Sequence, residues 1–203
     1  MAYELPQPVM NESRLTQLLK AILDSLPPSS PGADFGNSAG TALAATVAEL
    51  NRAADVSSRI VTITATTTIT EALHEGKTCL LKEAGGNALV TLTLPAATGG
   101  GGRYRFVVAE VNTSNYVFKS VAGADLMEGI IIGASTTDSA TDAARTWLSG
   151  ATDDTITLNG TTTGGAALGD WIEFEDILSV GCAVRGMITQ SGSEATPFSD
   201  TVA

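Results

Sequence analysis

The chain has 203 residues, of which 43% are hydrophobic, 16% charged and 5% aromatic, and its 22 acidic and 11 basic side chains leave a net charge of −11. An acidic excess on so few charged residues argues against a nucleic-acid surface, which needs clustered Lys and Arg, and against attachment to anionic lipid. One histidine and two cysteines supply little for catalysis, while the length suffices for one domain plus an extension with a core independent of disulfides or metal.

At the N-terminus, Met1-Ala2-Tyr3-Glu4-Leu5-Pro6 lacks a basic stretch followed by an apolar one, so a secretory signal is not expected. No run of 18 apolar residues predicts a membrane span. Leu15, Leu18, Leu19, Ile22, Leu23 and Leu26 recur at three- and four-residue spacing, which predicts a helix with one apolar face. Asn11 or Ser13 can cap it, and Pro27-Pro28 ends it. One helix cannot bury that stripe against itself, so these six residues are the expected partner-binding set. A Pro/Gly/Ser linker follows over 27–40, and Thr46-Val47-Ala48-Glu49 has the spacing of a capping box for a second short helix. The expected organisation is a helical arm with its linker over 1–56 and an all-β body over 57–203.

From Arg59 the period changes to two. Ile60–Thr66 and Val90–Leu94 alternate as β-branched strands with one wet face. Further strands are predicted at Thr78–Lys82, Arg103–Ala109, Tyr116–Lys119, Leu126–Ile132, Thr155–Asn159, Asp170–Asp176 and Cys182–Thr189. Short strands between Gly, Asn, Asp and Pro clusters point to a mainly β protein with a β-sandwich or jelly-roll-like body. In Trp171-Ile172-Glu173-Phe174-Glu175 the aromatics are expected inward and the carboxylates outward. Gly99–Gly102 is expected to form a flexible hairpin loop, Asn159-Gly160 a tight turn, and 135–153 a long loop pinned by Trp147. The Thr-Ile-Thr stretches near 62 and 155 look alike through composition, and a true repeat is not expected.

Candidate chemistry is sparse. His74 is the single histidine, which removes every two-histidine metal site, and His74-Glu75-Gly76-Lys77 reads as a solvated turn. Gly76-Lys77-Thr78 ends like a phosphate loop, but Glu71 stands where the first glycine belongs. Asp153-Asp154, Asp138 with Asp142, and Glu173-Glu175-Asp176 match no calcium loop and read as surface carboxylates that keep an acidic chain soluble. Cys79 and Cys182 lie in apolar runs and read as small buried hydrophobes, with a disulfide between them left open. No catalytic, cofactor or metal site is expected, and the chain is expected not to be an enzyme. Among Tyr104, Tyr116, Trp147 and Trp171, Trp147 is the ring expected to serve surface recognition.

Several segments carry a resemblance. Thr46-Val47-Ala48-Glu49-Leu50-Asn51 leads into the β-rich region, and Leu94-Pro95-Ala96-Ala97-Thr98-Gly99 precedes Arg103-Tyr104-Arg105-Phe106-Val107-Val108. Asp154-Thr155-Ile156-Thr157-Leu158-Asn159-Gly160-Thr161-Thr162-Thr163-Gly164-Gly165 and Glu194-Ala195-Thr196-Pro197-Phe198 complete the set. Residues 46–203 so resemble tailed-bacteriophage virion structural proteins, a group that includes capsid decoration (cement) proteins and head or tail fibres. The resemblance implies a late protein, made in the host cytoplasm and placed on the outer surface of the virion. It implies a symmetric homo-oligomer, most often a trimer, bound to the major capsid protein, with no nucleic-acid or membrane partner. The alternative within the same resemblance is a fibre or receptor-binding appendage that recognises a host surface glycan.

Overall fold

The structure is a computed structural model that describes residues 59–136 and 144–202. The stripe from Leu15 to Leu26, the linker, the second helix, the boundary near residue 57, and Asp138 and Asp142 all lie outside the described residues.

The protein is mainly β, with two sheets packed face to face. A large sheet holds seven strands in the order β1-β3-β5-β10-β11-β7-β8, and a small sheet holds five in the order β12-β9-β6-β4-β2. The strands are β1 (Ile60–Ile63), β2 (Thr67–Thr68), β3 (Thr78–Leu81), β4 (Val90–Thr93), β5 (Arg103–Val108) and β6 (Tyr116–Lys119). They continue with β7 (Leu126–Ser135), β8 (Arg145–Leu148), β9 (Thr155–Leu158), β10 (Trp171–Leu178), β11 (Gly181–Gln190) and β12 (Phe198–Ser199). One helical turn, α1 (Glu71–His74), separates β2 from β3.

The first six strands alternate between the sheets, and each pairs in parallel with the strand two before it. Thus Ile60 lies beside Thr78, and Thr78 beside Arg105, in the large sheet. In the small sheet Thr67 lies beside Leu92, and Val90 beside Tyr116. Parallel neighbours need a long crossover, and here the opposite sheet supplies it, so the chain winds between the two layers. The winding is then closed by antiparallel partners: β10 on β5 and β9 on β6. Gly99–Gly102 therefore joins strands of different sheets, as a crossover loop instead of the expected hairpin. The Thr-Ile-Thr stretches begin in different sheets, β1 in the large one and β9 in the small one, as expected of unrelated segments.

Period-two alternation sends Phe106, Phe118 and Phe174 into the space between the sheets, where they bury fully. Their ring centroids lie 4.9 to 5.9 Å apart; Phe106 meets Phe118 and Phe174 edge-to-face and Phe118 tilts against Phe174, which ties β5, β6 and β10 together. Ile131, Ile156, Ile172, Leu92 and Met127 surround them. Tyr116 is buried with its polar tip satisfied: its hydroxyl accepts the Glu83 amide and donates to the Glu110 carbonyl, each at 3.0 Å. Close parallel pairing of β7 with β11 depends on a glycine, because a Cβ at Gly129 would sit 1.9 Å from the Val184 carbonyl oxygen.

Candidate functional site

The groups with nucleophilic or acid–base chemistry are placed as structural parts. His74 closes α1 and is buried, not solvated as its sequence context implied; its Nδ1 accepts the Thr70 amide at 3.0 Å. Burial lowers its pKa, against the opposing effect of its contact with the Thr70 backbone, so the ring is held neutral. Cys79 is buried and Cys182 packs against the core, both as free thiols. Desolvation pushes Cys79 up to about 11 and Cys182 up to about 12, far from the thiolate form that reacts. Among the described residues no group of three or more His, Cys, Asp or Glu side chains is placed to hold a metal ion.

Two carboxylates that read as surface charges, Asp154 and Asp176, are clamps for neighbouring segments, and Asp170 is a third. Asp154 is fully buried; its Oδ1 accepts the Thr155 hydroxyl at 2.8 Å and the Thr201 amide at 2.9 Å, and its Oδ2 accepts the Val202 amide at 3.1 Å. Desolvation pushes its pKa up, but those bonds together outweigh it and hold the carboxyl below the usual range. Asp176 gathers the crossover loop by accepting the amides of Thr98, Gly99 and Gly100 and the Thr98 hydroxyl. Its pKa is also lowered, desolvation again being opposed and exceeded by these bonds. Asp170 accepts the amide and hydroxyl of Thr189 at 2.7 and 2.8 Å, yet desolvation prevails and raises its pKa.

Trp147 is half-buried against the core, and its indole N–H donates to Gln190 Oε1 at 2.8 Å. Gln190 is itself fully buried and donates through Nε2 to the carbonyls of Thr162 and Ala195. The expected recognition ring is thus the peg that fixes β8 to the body, and the exposed apolar group of that strand is Leu148, at 71%.

Two surfaces group exposed apolar side chains together. One is the loop end, where the β10–β11 hairpin exposes Ile177, Leu178 and Val180. The hairpin is held from both sides: the Gly101 amide donates to the Asp176 carbonyl at 2.7 Å, and the Leu126 amide to the Val180 carbonyl at 3.1 Å. Beneath lies a small pocket lined by Leu94, Pro95, Tyr104, Phe174 and Cys182, with Asp125 and Asp176 at its polar side. The other surface is the outer face of the large sheet. Trp171 lies there, contrary to the inward placement expected of it, because a period of two sets residue 171 on the same side as Glu173 and Glu175. The Arg105 guanidinium stacks over its ring, 4.6 Å from the centroid. Glu175 bridges Arg103 at 2.7 Å and also pairs with Arg185. The hydrogen bond from Arg103 leads the effects that hold the Glu175 carboxyl below its ordinary pKa.

No family model, curated protein or solved structure matches the chain. Its function is therefore read from its own surfaces. The sequence carried a signal for Trp171, since strict alternation from Phe174 places it outside. Asp154 and Asp176 carry no comparable local signal, because the amides they accept from, Thr201, Val202 and Thr98–Gly100, lie far away in the chain.

Proposed function

We propose that the chain is a non-enzymatic virion structural protein, a capsid decoration (cement) protein that binds the outer shell of a tailed-phage particle as a symmetric oligomer. The observation that carries this reading is the distribution of exposed apolar side chains. Ile177, Leu178 and Val180 lie on a hairpin clamped to the body and Ile130, Ile132, Leu148 and Met187 on one sheet face, with Leu73, Leu89, Val121 and Leu168 outside both, while Asp154 and Asp176 serve as loop anchors. A surface of that kind acts by being covered. The resemblance of residues 46–203 to phage virion proteins supplies the class of partner, the major capsid protein. In this reading the apolar stripe Leu15, Leu18, Leu19, Ile22, Leu23 and Leu26 is an attachment arm, which adds interface area and avidity without chemistry.

Removing the first 40 residues tests the arm. The expected result is loss of binding to particles that lack the protein, with the far-ultraviolet β signature of the body retained. Undiminished binding by the shortened chain would contradict the arm's role.

A further inference from the structure

The two outer faces of the sandwich differ in chemistry. On the small sheet, cross-strand neighbours facing outward are Thr91, Val117 and Thr157 in one row and Thr93 and Lys119 in the next, where the adjoining Thr155 is buried. Such a face is predominantly polar. On the large sheet, one outward row runs Leu80, Val107, Trp171, Met187 and Ile132, each beside the next in register. Met187 is 55% exposed and Ile132 41%. The row beside it runs Arg105, Glu173, Arg185, Ile130 and Leu148, followed by Arg103, Glu175, Ala183 and Glu128.

Charge on this face is balanced. Arg103, Arg105 and Arg185 stand with Glu128, Glu173 and Glu175, on a chain whose net charge is −11. Two copies approaching through most other surfaces bring like charges together, which costs free energy at close range. Through this face they bring alternating Arg and Glu that can pair in either direction, in two rows alongside the apolar one. Arg105 is already ordered over Trp171 and Glu175 lies between two arginines, so little side-chain freedom is lost on contact. Trp and Arg, both present on this face, are also the residues that most often dominate association energies.

The dimensions are adequate. Seven strands spaced about 4.8 Å apart make a face about 29 Å wide, and strands of 8 and 10 residues at about 3.3 Å per residue make its middle about 30 Å tall. That area is near the roughly 800 Å² per partner of a stable interface.

We infer that the outer face of the large sheet, with its apolar row of Trp171, Met187 and Ile132, is the surface through which this chain associates with a second copy of itself. The inference concerns association in solution and stands apart from any particle. Sedimentation equilibrium of the full chain, with Met187→Glu and Ile132→Glu as variants, tests it. Both side chains are exposed, so each variant should keep the parent's circular dichroism and thermal transition. Thr91→Glu on the opposite outer face is the control.

The expected result is a dimer for the parent and the control, since one patch meeting its own copy makes a two-fold contact. Each outer-face variant should raise the dissociation constant by about 30-fold or more, the size of a lost central contact. A parent that stays monomeric at about 100 μM, where even weak partners of this size associate, would overturn the inference and leave the Leu15–Leu26 stripe or a foreign protein as the cover. An oligomer whose mass neither variant changes would overturn it equally. Failure of the parent to bind particles, with an oligomer that both variants weaken, would count against the virion reading alone.

Discussion

Asp176 holds Thr98 twice. Its Oδ2 accepts the Thr98 hydroxyl at 2.6 Å while its Oδ1 accepts the Thr98 amide at 3.0 Å, across 78 residues of sequence. A glycine-rich crossover that would otherwise be loose is so fixed beside the exposed β10–β11 hairpin. Asp176→Ala should free it, with a loss of about 2 kcal/mol for charge-assisted bonds in a half-exposed site. Faster amide exchange at Thr98, Gly99 and Gly100 checks this, and unchanged exchange would contradict it.

The pH dependence follows from the same clamps. Asp176 and Asp154 have folded pKa values below their unfolded ones, so each contributes stability that is fully present above the unfolded value and lost as pH falls through the folded one. Asp170 has a raised folded pKa and acts in the opposite sense, favouring the fold as pH falls toward it. Urea unfolding below the ordinary carboxylate range should show stability falling with acid, and the slope should flatten in Asp154→Ala and Asp176→Ala.

Trp147 and Gln190 form a second clamp. Trp147→Phe keeps a ring but leaves Gln190 Oε1 without the indole donor, in a position closed to water. The expected cost is about 1–3 kcal/mol. Leu148→Ala, next to it on the solvent side, should cost little. Equal melting temperatures for the two variants would contradict the roles given to them.

Glycine carries different weight at different positions. Gly129→Ala drives a methyl into the Val184 carbonyl and should destabilise the protein by about 3 kcal/mol or more, since the backbone of a paired strand must shift. Gly101→Ala meets open space and pays only for its positive φ of 79°, about 1 kcal/mol. Thermal unfolding of the pair checks the order.

Both thiols should be silent in the native state. With Cys79 and Cys182 shifted up to about 11 and about 12, an aromatic disulfide reagent near pH 8 should label neither until denaturant is added, and then both.

How much of this was legible in the sequence depends on the range of the interaction. Val90–Thr93 and Tyr116–Lys119 were readable because alternation of branched and polar side chains is a local signal of a half-buried strand. Their parallel pairing was not, because a period of two says which face is buried and nothing about which strand lies alongside. β8 escaped notice since Arg145-Thr146-Trp147-Leu148 has no alternating β-branched pattern. His74 was misjudged because its charged neighbours describe the turn, while its burial comes from the docking of α1. Asp154 and Asp176 looked like surface charge because their donors, Thr201, Val202 and Thr98–Gly100, are distant in sequence. Trp171 was misplaced by grouping aromatics together instead of counting the period, and that one residue conceals the apolar row of the outer face.

The central claim, that this chain coats a capsid, is tested most directly by an electron-microscopy map of the intact virion carrying it. The account predicts hundreds of copies on the outer shell as symmetric oligomers, with the loop end or the N-terminal arm in contact with the major capsid protein. A dozen or so copies confined to the tail or a single vertex, or none on the particle, would contradict it.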